Sequence, residues 1–247
     1  GADTKLPDVE GHWAQDTIQE LVDEGIIAGY PDGTFKPNNN ITRAEFAALI
    51  VRAFALEPGP GKIFNDTAGH WAEEVISTAN YHGLVSGYSD TLFGPNDLIT
   101  REQMAAMIVD ATKADSTEDS KVFTDSAQIA AWAKESVDKA TAAGLIAGYP
   151  DGTFKPKANA TRAEAAAVLD RGRKLDVEKT AIIYDQEGTY GPETETQTID
   201  NDVVISADDV ILQNMIIKGD LIISEEVGAG DVDLNNVTVK GETFIRG

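Results

Sequence analysis

The chain has 247 residues, enough for one large domain or two ordinary ones. It carries 42 Asp and Glu residues against 20 Lys and Arg residues, a formal net charge of −22. This balance argues against binding to nucleic acid or to an anionic membrane surface. The chain contains no cysteine, so disulfides, thiolate metal sites and thiol catalysis are excluded.

The sequence contains neither a candidate transmembrane helix nor a signal peptide. A transmembrane helix needs about 18 consecutive apolar residues, and the sequence has no such run. The N-terminal stretch GADTKLPDVE is not a signal peptide. It fits equally well a mature end left by cleavage or a cloning remnant.

Three internal repeats organise the first two thirds of the chain. Trp13, Trp71 and Trp132 each stand 17 positions before a tyrosine, and each tyrosine stands 12 positions before a Thr-Arg pair. Three matches without a gap indicate true repeats. The repeats are predicted over residues 5–60, 61–118 and 119–175.

Each repeat is predicted to fold as helix, turn-rich loop and helix. In the first repeat, residues 13–22 are amphipathic, and Gly25 follows as a left-handed C-terminal cap. Pro31-Asp32-Gly33 has the residue types of a tight turn. Thr42 and Glu45 form the capping-box pattern of a second helix. Its core-facing stripe comprises Phe46, Leu49, Ile50, Ala53 and Phe54.

A single repeat is too small to bury its own apolar stripes. Three repeats in succession would complete a shared core, and their near-equality favours a pseudo-threefold cluster with similar grooves between neighbours. The predicted fold class is therefore mainly α for this part of the chain.

A different pattern begins near Asp176, where Val, Ile, Thr, Gly and Asn replace Ala-rich sequence. Residues 176–200 are predicted to be a connector that enters strand structure near 181–184. Residues 212–219 then match 234–241 with an offset of 22, which predicts the first coils of a parallel β-helix over 201–247. Asn214 and Asn236 are predicted to stack inside the coil. Two coils are too few for stability alone, so we expect either a fragment of a larger surface protein or a region that is partly ordered by the preceding repeats.

The combined motifs resemble S-layer homology domains. They are Gly-His-Trp-Ala at 11–14 and 69–72, Gly-Tyr-Pro-Asp-Gly-Thr-Phe at 29–35 and 148–154, and the Thr-Arg-Ala-Glu element. The resemblance implies a three-pronged spindle whose grooves bind an anionic secondary cell wall polysaccharide linked to peptidoglycan. In that family the polysaccharide typically carries pyruvylated N-acetylmannosamine. The domain holds surface proteins on the wall of Gram-positive and related bacteria.

Arg43, Arg101 and Arg162 each occupy the first turn of a predicted helix, where the dipole disfavours a cation. The guanidinium matches a carboxylate bidentately, and free N–H groups at the helix start would complete an anion site. The alternative is that each arginine pairs with an acid, for instance one of its own repeat, and only stabilises the fold. Three equivalent copies and the family resemblance favour ligand contact.

Three further sets are candidate carbohydrate-binding residues. The tryptophans suit stacking on sugar rings or packing at a helix start, and the sequence does not separate the two. The glycines suit left-handed backbone or close approach of a sugar, although a role only in the turn is favoured for each. The aspartates are predicted to cap the first helix of each repeat, and the family resemblance implies that they also face a groove. These residues are Trp13, Trp71 and Trp132; Gly29, Gly87 and Gly148; and Asp8, Asp66 and Asp125.

The repeats are not identical. The second loses the Pro and second Gly of the turn and has Gln103 in place of Glu. The third has Ala131 where the others have His. We therefore expect the grooves to be unequally occupied.

No catalytic residue, metal site or cofactor is predicted. His12 and His70 lie at matched repeat positions rather than beside each other, and an acid pair such as Asp231 and Asp233 fits a solvated surface better than calcium. The leading hypothesis is a secreted, non-catalytic wall anchor. The alternatives are the N-terminal part of a wall-anchored, polysaccharide-active enzyme with a β-helix, and a protein that itself forms an S-layer lattice.

Overall fold

The computed structural model describes the backbone of residues 5–246 and the side chains of 5–175 and 181–246. The chain divides into two compact units, residues 1–173 and 174–247. Residues 1–4 of the N-terminal stretch, and Gly247 at the end of the predicted β-helix region, lie outside the described residues. The helices are α1 (Gln15–Asp23), α2 (Arg43–Ala53), α3 (Glu73–Tyr81), α4 (Arg101–Thr112), α5 (Lys134–Ala142) and α6 (Arg162–Thr180).

The second helix of each repeat begins at a capping box, as the sequence predicts. Thr42 Oγ1 accepts a hydrogen bond from Glu45 N at 3.1 Å, and Glu45 Oε1 accepts one from Thr42 N at 3.1 Å. Both bonds satisfy N–H groups that the helix cannot pair internally. The same reciprocal pair joins Thr100 to Gln103 and Thr161 to Glu164.

The predicted loop features of the first repeat are also confirmed. Gly25 has φ +73° at the end of α1. Gly33 has φ +84° and donates from its N–H to the Tyr30 carbonyl at 3.0 Å, which closes the turn. Both conformations favour glycine because a Cβ is strained there.

A ring of three backbone hydrogen bonds joins the repeats. Ile41 N donates to Ala160 O at 3.1 Å, Ala160 N to Ile99 O at 2.9 Å, and Ile99 N to Ile41 O at 3.0 Å. All three side chains are completely buried. Each repeat is therefore bonded to both others through the residues just before its second helix, and the shared core predicted from the sequence lies around this ring.

The second unit is built from short parallel strands. One sheet has the order β1-β4-β6-β8, and in the other β2, β3 and β7 all pair with β5. Leu212 on β5 lies beside Leu234 on β7, which confirms the 22-residue offset. The strands are β1 (Ile182–Tyr184), β2 (Gly188–Tyr190), β3 (Gln197–Ile199), β4 (Val203–Ile205), β5 (Val210–Ile217), β6 (Leu221–Ile223), β7 (Val232–Val239) and β8 (Thr243–Ile245).

The boundaries of this unit differ from the sequence prediction. Helix α6 continues to Thr180, and β1, β2 and β3 all lie within the predicted connector 176–200. Each of these strands has three residues, and most of their side chains are exposed or half-buried. Their sequence pattern is weak because pairing with β4 and β5, rather than an apolar face of their own, holds them in place.

The predicted asparagine ladder is present, but not inside the coil. Asn236 Nδ2 donates to Asn214 Oδ1 at 2.8 Å, and Asn214 Nδ2 donates to Pro192 O at 2.9 Å. Both asparagines have left-handed backbone, with φ of +50° and +56°, and Asn236 is exposed. The ladder therefore stacks at a bend of the chain, where Asn tolerates this conformation better than most residues.

Candidate functional site

The three repeated arginines are buried and reach into another repeat. Arg43, Arg101 and Arg162 are 5%, 3% and 7% exposed. The Nε of each donates to the carbonyl of the phenylalanine that ends another repeat's loop. These bonds are Arg43 to Phe93 at 3.1 Å, Arg101 to Phe154 at 2.9 Å and Arg162 to Phe35 at 2.9 Å. The arginines therefore connect the first repeat to the second, the second to the third and the third to the first.

Each guanidinium also lies over a tyrosine of the neighbouring loop. The distance from Cζ to the ring centroid is 4.5 Å from Arg101 to Tyr149 and 4.8 Å from Arg162 to Tyr30. Arg43 lies 4.5 Å above Tyr88 in the same way. A cation over an aromatic face is attracted by the ring quadrupole. The tyrosines that stand 17 positions after each tryptophan thus help to position the cations.

Two of the arginines also have a carboxylate partner. Arg101 Nη1 pairs with Glu164, and Arg162 Nη1 lies 4.0 Å from Glu45 Oε2. Both glutamates are capping-box residues of another repeat. An acid pairing was the structural alternative for these arginines, and the pairing runs between repeats rather than within one.

The helix starts do not offer the free N–H groups expected for an anion site. At α4, Arg101 N donates to Ala158 O at 2.9 Å, Glu102 N to Pro156 O at 3.1 Å and Gln103 N to Thr100 Oγ1 at 3.3 Å. The first two N–H groups of α2 and α6 are used in the same way by carbonyls of Asp97, Pro95, Asn39 and Pro37. That part of the prediction was wrong, because these N–H groups already have acceptors in other loops or in the capping box.

A groove of about 550 Å³ lies beside Arg101. Its lining includes Tyr149 and Glu164 of the third repeat, and Trp13 and Asn38 of the first. All three repeats thus contribute to one groove. Cation, carboxylate, aromatic and amide groups face a common space, a combination that suits a polar ligand with apolar faces.

The repeated tryptophans are exposed. Trp13, Trp71 and Trp132 are 65%, 66% and 60% exposed. A tryptophan that anchored packing would be buried, so this alternative from the sequence is excluded. The indole of Trp13 belongs to the groove wall described above. Its face is open for stacking on an apolar surface.

Two histidines organise the turn that carries a tryptophan. His12 Nδ1 accepts a hydrogen bond from Ala14 N at 3.1 Å, and His12 Nε2 is 2.9 Å from Asn38 Oδ1. His70 makes the same contacts with Ala72 and Asn96. The sequence showed the matched positions of the histidines, but not that His12 bonds to Asn38 of the groove wall.

The aspartates do not cap the first helices, contrary to the prediction. Asp66 accepts hydrogen bonds from Phe93 N at 2.9 Å and Gly94 N at 2.8 Å. Asp8 accepts from Phe35 and Lys36, and Asp125 from Phe154 and Lys155. Each aspartate therefore fixes the loop residue whose carbonyl binds an arginine.

These backbone bonds change the acidity of the aspartates. Desolvation raises the pKa of Asp66, but hydrogen bonds from the N–H groups of Phe93 and Gly94 and from its own backbone N–H, together with the charge of Arg43, outweigh this, so its pKa lies below the ordinary value. Desolvation is likewise outweighed at Asp125, whose pKa is lowered by backbone hydrogen bonds with Phe154 and Lys155 as the main donors. Both carboxylates stay ionised over a wider range of pH than a free aspartate.

The three glycines differ from one another. Gly87 has φ +79°, whereas Gly29 and Gly148 lack positive φ, so a left-handed role is wrong for these two. A Cβ on Gly148 would lie 2.3 Å from Phe123 Cε1, and one on Gly29 would lie 2.8 Å from Thr34 O. The glycines are therefore required by packing within their own repeat, although Gly148 also lines the groove.

Sequence reasoning missed several residues of this groove. Glu164, Asn38 and Arg171 were not identified, and Tyr149 was used only to measure the repeat. The constant spacing from Trp to Tyr was the signal for the tyrosine. Asn38 and Arg171 belong to different repeats and carry no local signal. Across the described residues, no helix is both long and apolar enough to cross a membrane.

Each of the three helix-loop-helix repeats matches a known family over most of its length. The model of the S-layer homology domain matches residues 5–47, 63–105 and 122–166, more than half of the chain. The chain belongs to the S-layer homology domain family. Such domains anchor surface proteins to the cell wall, and proteins that carry them are secreted or lie on the cell surface. The domain itself is a wall-anchoring module rather than a catalytic one.

Three relatives illustrate the range of proteins that carry similar segments. An amylopullulanase of Thermoanaerobacterium thermosulfurigenes is 34% identical over 68% of this chain and 9% of its own length. A cellulosome-anchoring protein of Acetivibrio thermocellus is 36% identical over 59% of this chain and 35% of its own length. An S-layer protein of Bacillus thuringiensis subsp. finitimus is 26% identical over 98% of this chain and 31% of its own length. The chain thus spans between 9% and 35% of these relatives.

Proposed function

We propose that the helical unit binds an anionic secondary cell wall polysaccharide, linked to peptidoglycan, in the grooves between repeats. The recognised unit is pyruvylated N-acetylmannosamine. The supporting observation is the groove that Arg101 and Tyr149 line together with the exposed Trp13. By this binding the chain attaches an S-layer protein or another surface protein to the bacterial wall.

The chemistry of the ligand matches that of the groove. A ketal-linked pyruvate presents a carboxylate, for which the planar guanidinium is the preferred partner. The apolar face of a sugar ring stacks on an exposed indole. The chain as a whole has a net charge of −22 and would repel the same polymer elsewhere, so we expect binding to be confined to the arginine-bearing grooves.

We further propose the architecture that this function requires. The three repeats, over 5–60, 61–118 and 119–175, form a pseudo-threefold, three-pronged spindle with one groove at each junction. The ring formed by Ile41, Ile99 and Ala160 supports this arrangement. The second unit is the beginning of a parallel β-helix, which the stacked parallel sheets support.

A second candidate concerns the whole protein rather than this unit. The similarity to an amylopullulanase favours the N-terminal part of a wall-anchored, polysaccharide-active enzyme, while the similarity to an S-layer protein over nearly the full chain favours a lattice protein. In both cases the unit described here anchors without catalysis. Self-assembly of the full-length protein into sheets, seen by electron microscopy, would separate the two.

Calorimetric titration with a synthetic pyruvylated N-acetylmannosamine glycoside tests the proposal. The unpyruvylated glycoside is the ligand control. Because the tryptophans are exposed, Trp13→Ala, Trp71→Ala and Trp132→Ala should fold normally, and Val122→Ala, at a 93% exposed side chain, is the matched protein control. We expect binding only with pyruvate present, and its loss in at least one tryptophan variant but not in Val122→Ala. Absence of binding to the pyruvylated ligand by folded protein would reject the proposal.

A further inference from the structure

The three arginines differ in how many of their donors are already used. Arg101 donates from Nε to Phe154, from Nη1 to Glu164 and from Nη2 to Ala147. The side chain of Arg43, in contrast, makes one hydrogen bond to the described part of the chain, from Nε to Phe93 O. A guanidinium has five N–H donors, so most of those on Arg43 are unused.

The missing ion pair of Arg43 has a cause in the sequence. The partners of Arg101 and Arg162 are the third residues of a neighbouring capping box, Glu164 and Glu45. The residue at that position in the second repeat is Gln103. Glutamine completes the capping box as well as glutamate does, but carries no charge. Among the described side chains, no carboxylate forms an ion pair with Arg43.

A backbone partner is missing as well. Arg101 and Arg162 each donate from Nη2 to an alanine carbonyl, Ala147 at 2.7 Å and Ala28 at 3.0 Å. Ser86 holds this position in the second repeat, next to Gly87, whose φ of +79° differs from that of its counterparts. The Ser86 carbonyl accepts no hydrogen bond from the Arg43 side chain in the described structure.

The unused donors of Arg43 are accessible although the residue is 5% exposed. Among the described residues, the one fully buried side-chain nitrogen or oxygen without a partner is Nε of Arg173. Each Nη group of Arg43 therefore keeps some solvent-accessible surface, and this surface is where we expect an anion to make contact.

Two acids near Arg43 are already engaged elsewhere. Asp97 accepts the hydroxyl of Tyr88 at 3.0 Å, and Asp66 accepts Phe93 and Gly94 N–H groups. Burial lowers the pKa of Arg43, and Tyr88, Asp97 and Asp66 oppose this from a distance. The guanidinium is thus a buried cation with distant rather than contacting counter-charges, which favours a ligand carboxylate that makes contact.

We propose that Gln103 makes the junction of the first and second repeats the preferred anion site, with Arg43 as the residue that holds the carboxylate. At the other two junctions, Glu164 and Glu45 act as internal competitors for the ligand. This inference rests on the proposed function for the identity of the polymer. The preference for Arg43 is independent of the proposed function, because it should hold for any small carboxylate.

The test is a titration followed by the Nε–Hε resonances of Arg43, Arg101 and Arg162 in ¹⁵N-labelled full chain, assigned with the three Arg→Lys variants. Acetate is the simplest probe, and the pyruvylated glycoside is the second. We expect both probes to shift the Nε–Hε resonance of Arg43 at a lower concentration than those of Arg101 and Arg162. Gln103→Glu should lower the affinity for acetate at Arg43 about tenfold, equivalent to about 1.4 kcal/mol. The matched variant Glu164→Gln should strengthen acetate binding at Arg101.

The outcomes separate this inference from the proposed function. Acetate binding at Arg43 without glycoside binding would keep the inference and reject pyruvylated N-acetylmannosamine as the ligand. Glycoside binding at Arg101 or Arg162 with no preference for Arg43 would keep the proposed function and overturn the inference. An unchanged acetate affinity in Gln103→Glu, with the fold intact by circular dichroism, would also overturn it.

Discussion

Equivalent repeat positions are buried equally in the helical unit but unequally in the β unit. In the helical unit the third repeat bonds back to the first, and the central residues Ile41, Ile99 and Ala160 are all equally buried. In the β unit the strands stack in one direction, and equivalent positions differ. Leu212 on β5 is completely buried, whereas Leu234, its partner on β7, is 42% exposed.

The comparison shows what closure contributes. In a closed set of repeats each arginine has a neighbour to bind, so one short motif can supply three nearly equivalent interfaces. In a linear stack each layer depends on the next one for burial. The closed unit can therefore present binding grooves at every junction, which suits the wall-anchoring role of the family.

The first prediction concerns the loss of a closing contact. Arg101→Ala removes the ion pair with Glu164 and the bonds to Phe154 and Ala147. We expect a loss of about 2–3 kcal/mol in the free energy of unfolding, because the carbonyls of Phe154 and Ala147 lose a buried donor and the half-buried Glu164 loses its cation. Urea unfolding followed by far-ultraviolet circular dichroism measures it. Arg43→Ala is the matched variant and should lower the free energy of unfolding by less, because the Arg43 side chain makes fewer hydrogen bonds. An equal or larger loss for Arg43→Ala would contradict this difference between the two arginines.

The second prediction concerns the linear stack. Leu212→Ala should destabilise the β unit by about 2–5 kcal/mol, as is typical of a large-to-small change in a core. Leu234→Ala, one coil further along, should cost much less because its side chain is partly exposed. Hydrogen exchange of the β-strand amides measures both. Similar losses of protection in the two variants would contradict the difference between the layers.

The third prediction is a loss of loop order when Asp66 is neutralised. Asp66→Asn should cost about 1.5–3 kcal/mol, since the hydrogen bonds of Phe93 N and Gly94 N to a charged acceptor are weakened. The loop should loosen first, with faster amide exchange at residues 93 and 94. The β unit serves as the internal control, and a uniform change in both units would argue against a local role for Asp66.

The smallest effect is a pH dependence of the same bonds. The folded pKa of Asp66 lies below its ordinary value of 3.8. Its contribution to stability is therefore present above that value and is lost as the pH falls through the lower folded pKa. Asp125 behaves likewise. We expect Asp66→Asn to flatten the acid limb of stability below about pH 4, and an unchanged acid limb would contradict the assignment.

The local features of this fold were predictable, whereas the long-range ones were not. The capping boxes, the cap at Gly25 and the 22-residue register each depend on residues close together or on a constant offset. The destination of Arg162, by contrast, is a carbonyl 127 positions away. Asp66 similarly binds backbone groups 27 and 28 positions away. A repeated motif reveals that such residues matter, but only the closed arrangement shows which repeat they contact.

The sequence likewise identified some residues of the candidate site but not their partners in other repeats. Arg101 and Trp13 were identified from their positions in the repeat and do line one groove. The expected free N–H groups were wrong because neighbouring loops supply carbonyls to the helix starts. No pattern within one repeat could show that competition, since the acceptors belong to another repeat.

The measurement that tests the account most directly is co-sedimentation of the full chain with purified cell wall sacculi. One sample retains its secondary polysaccharide, a second has lost it by hydrofluoric acid treatment, and a third comes from cells that cannot add pyruvate. The account predicts that the protein sediments with the first sample alone, because the arginine-bearing grooves recognise the pyruvyl carboxylate. Equal sedimentation with all three samples would contradict it and would assign wall binding to another surface or another polymer.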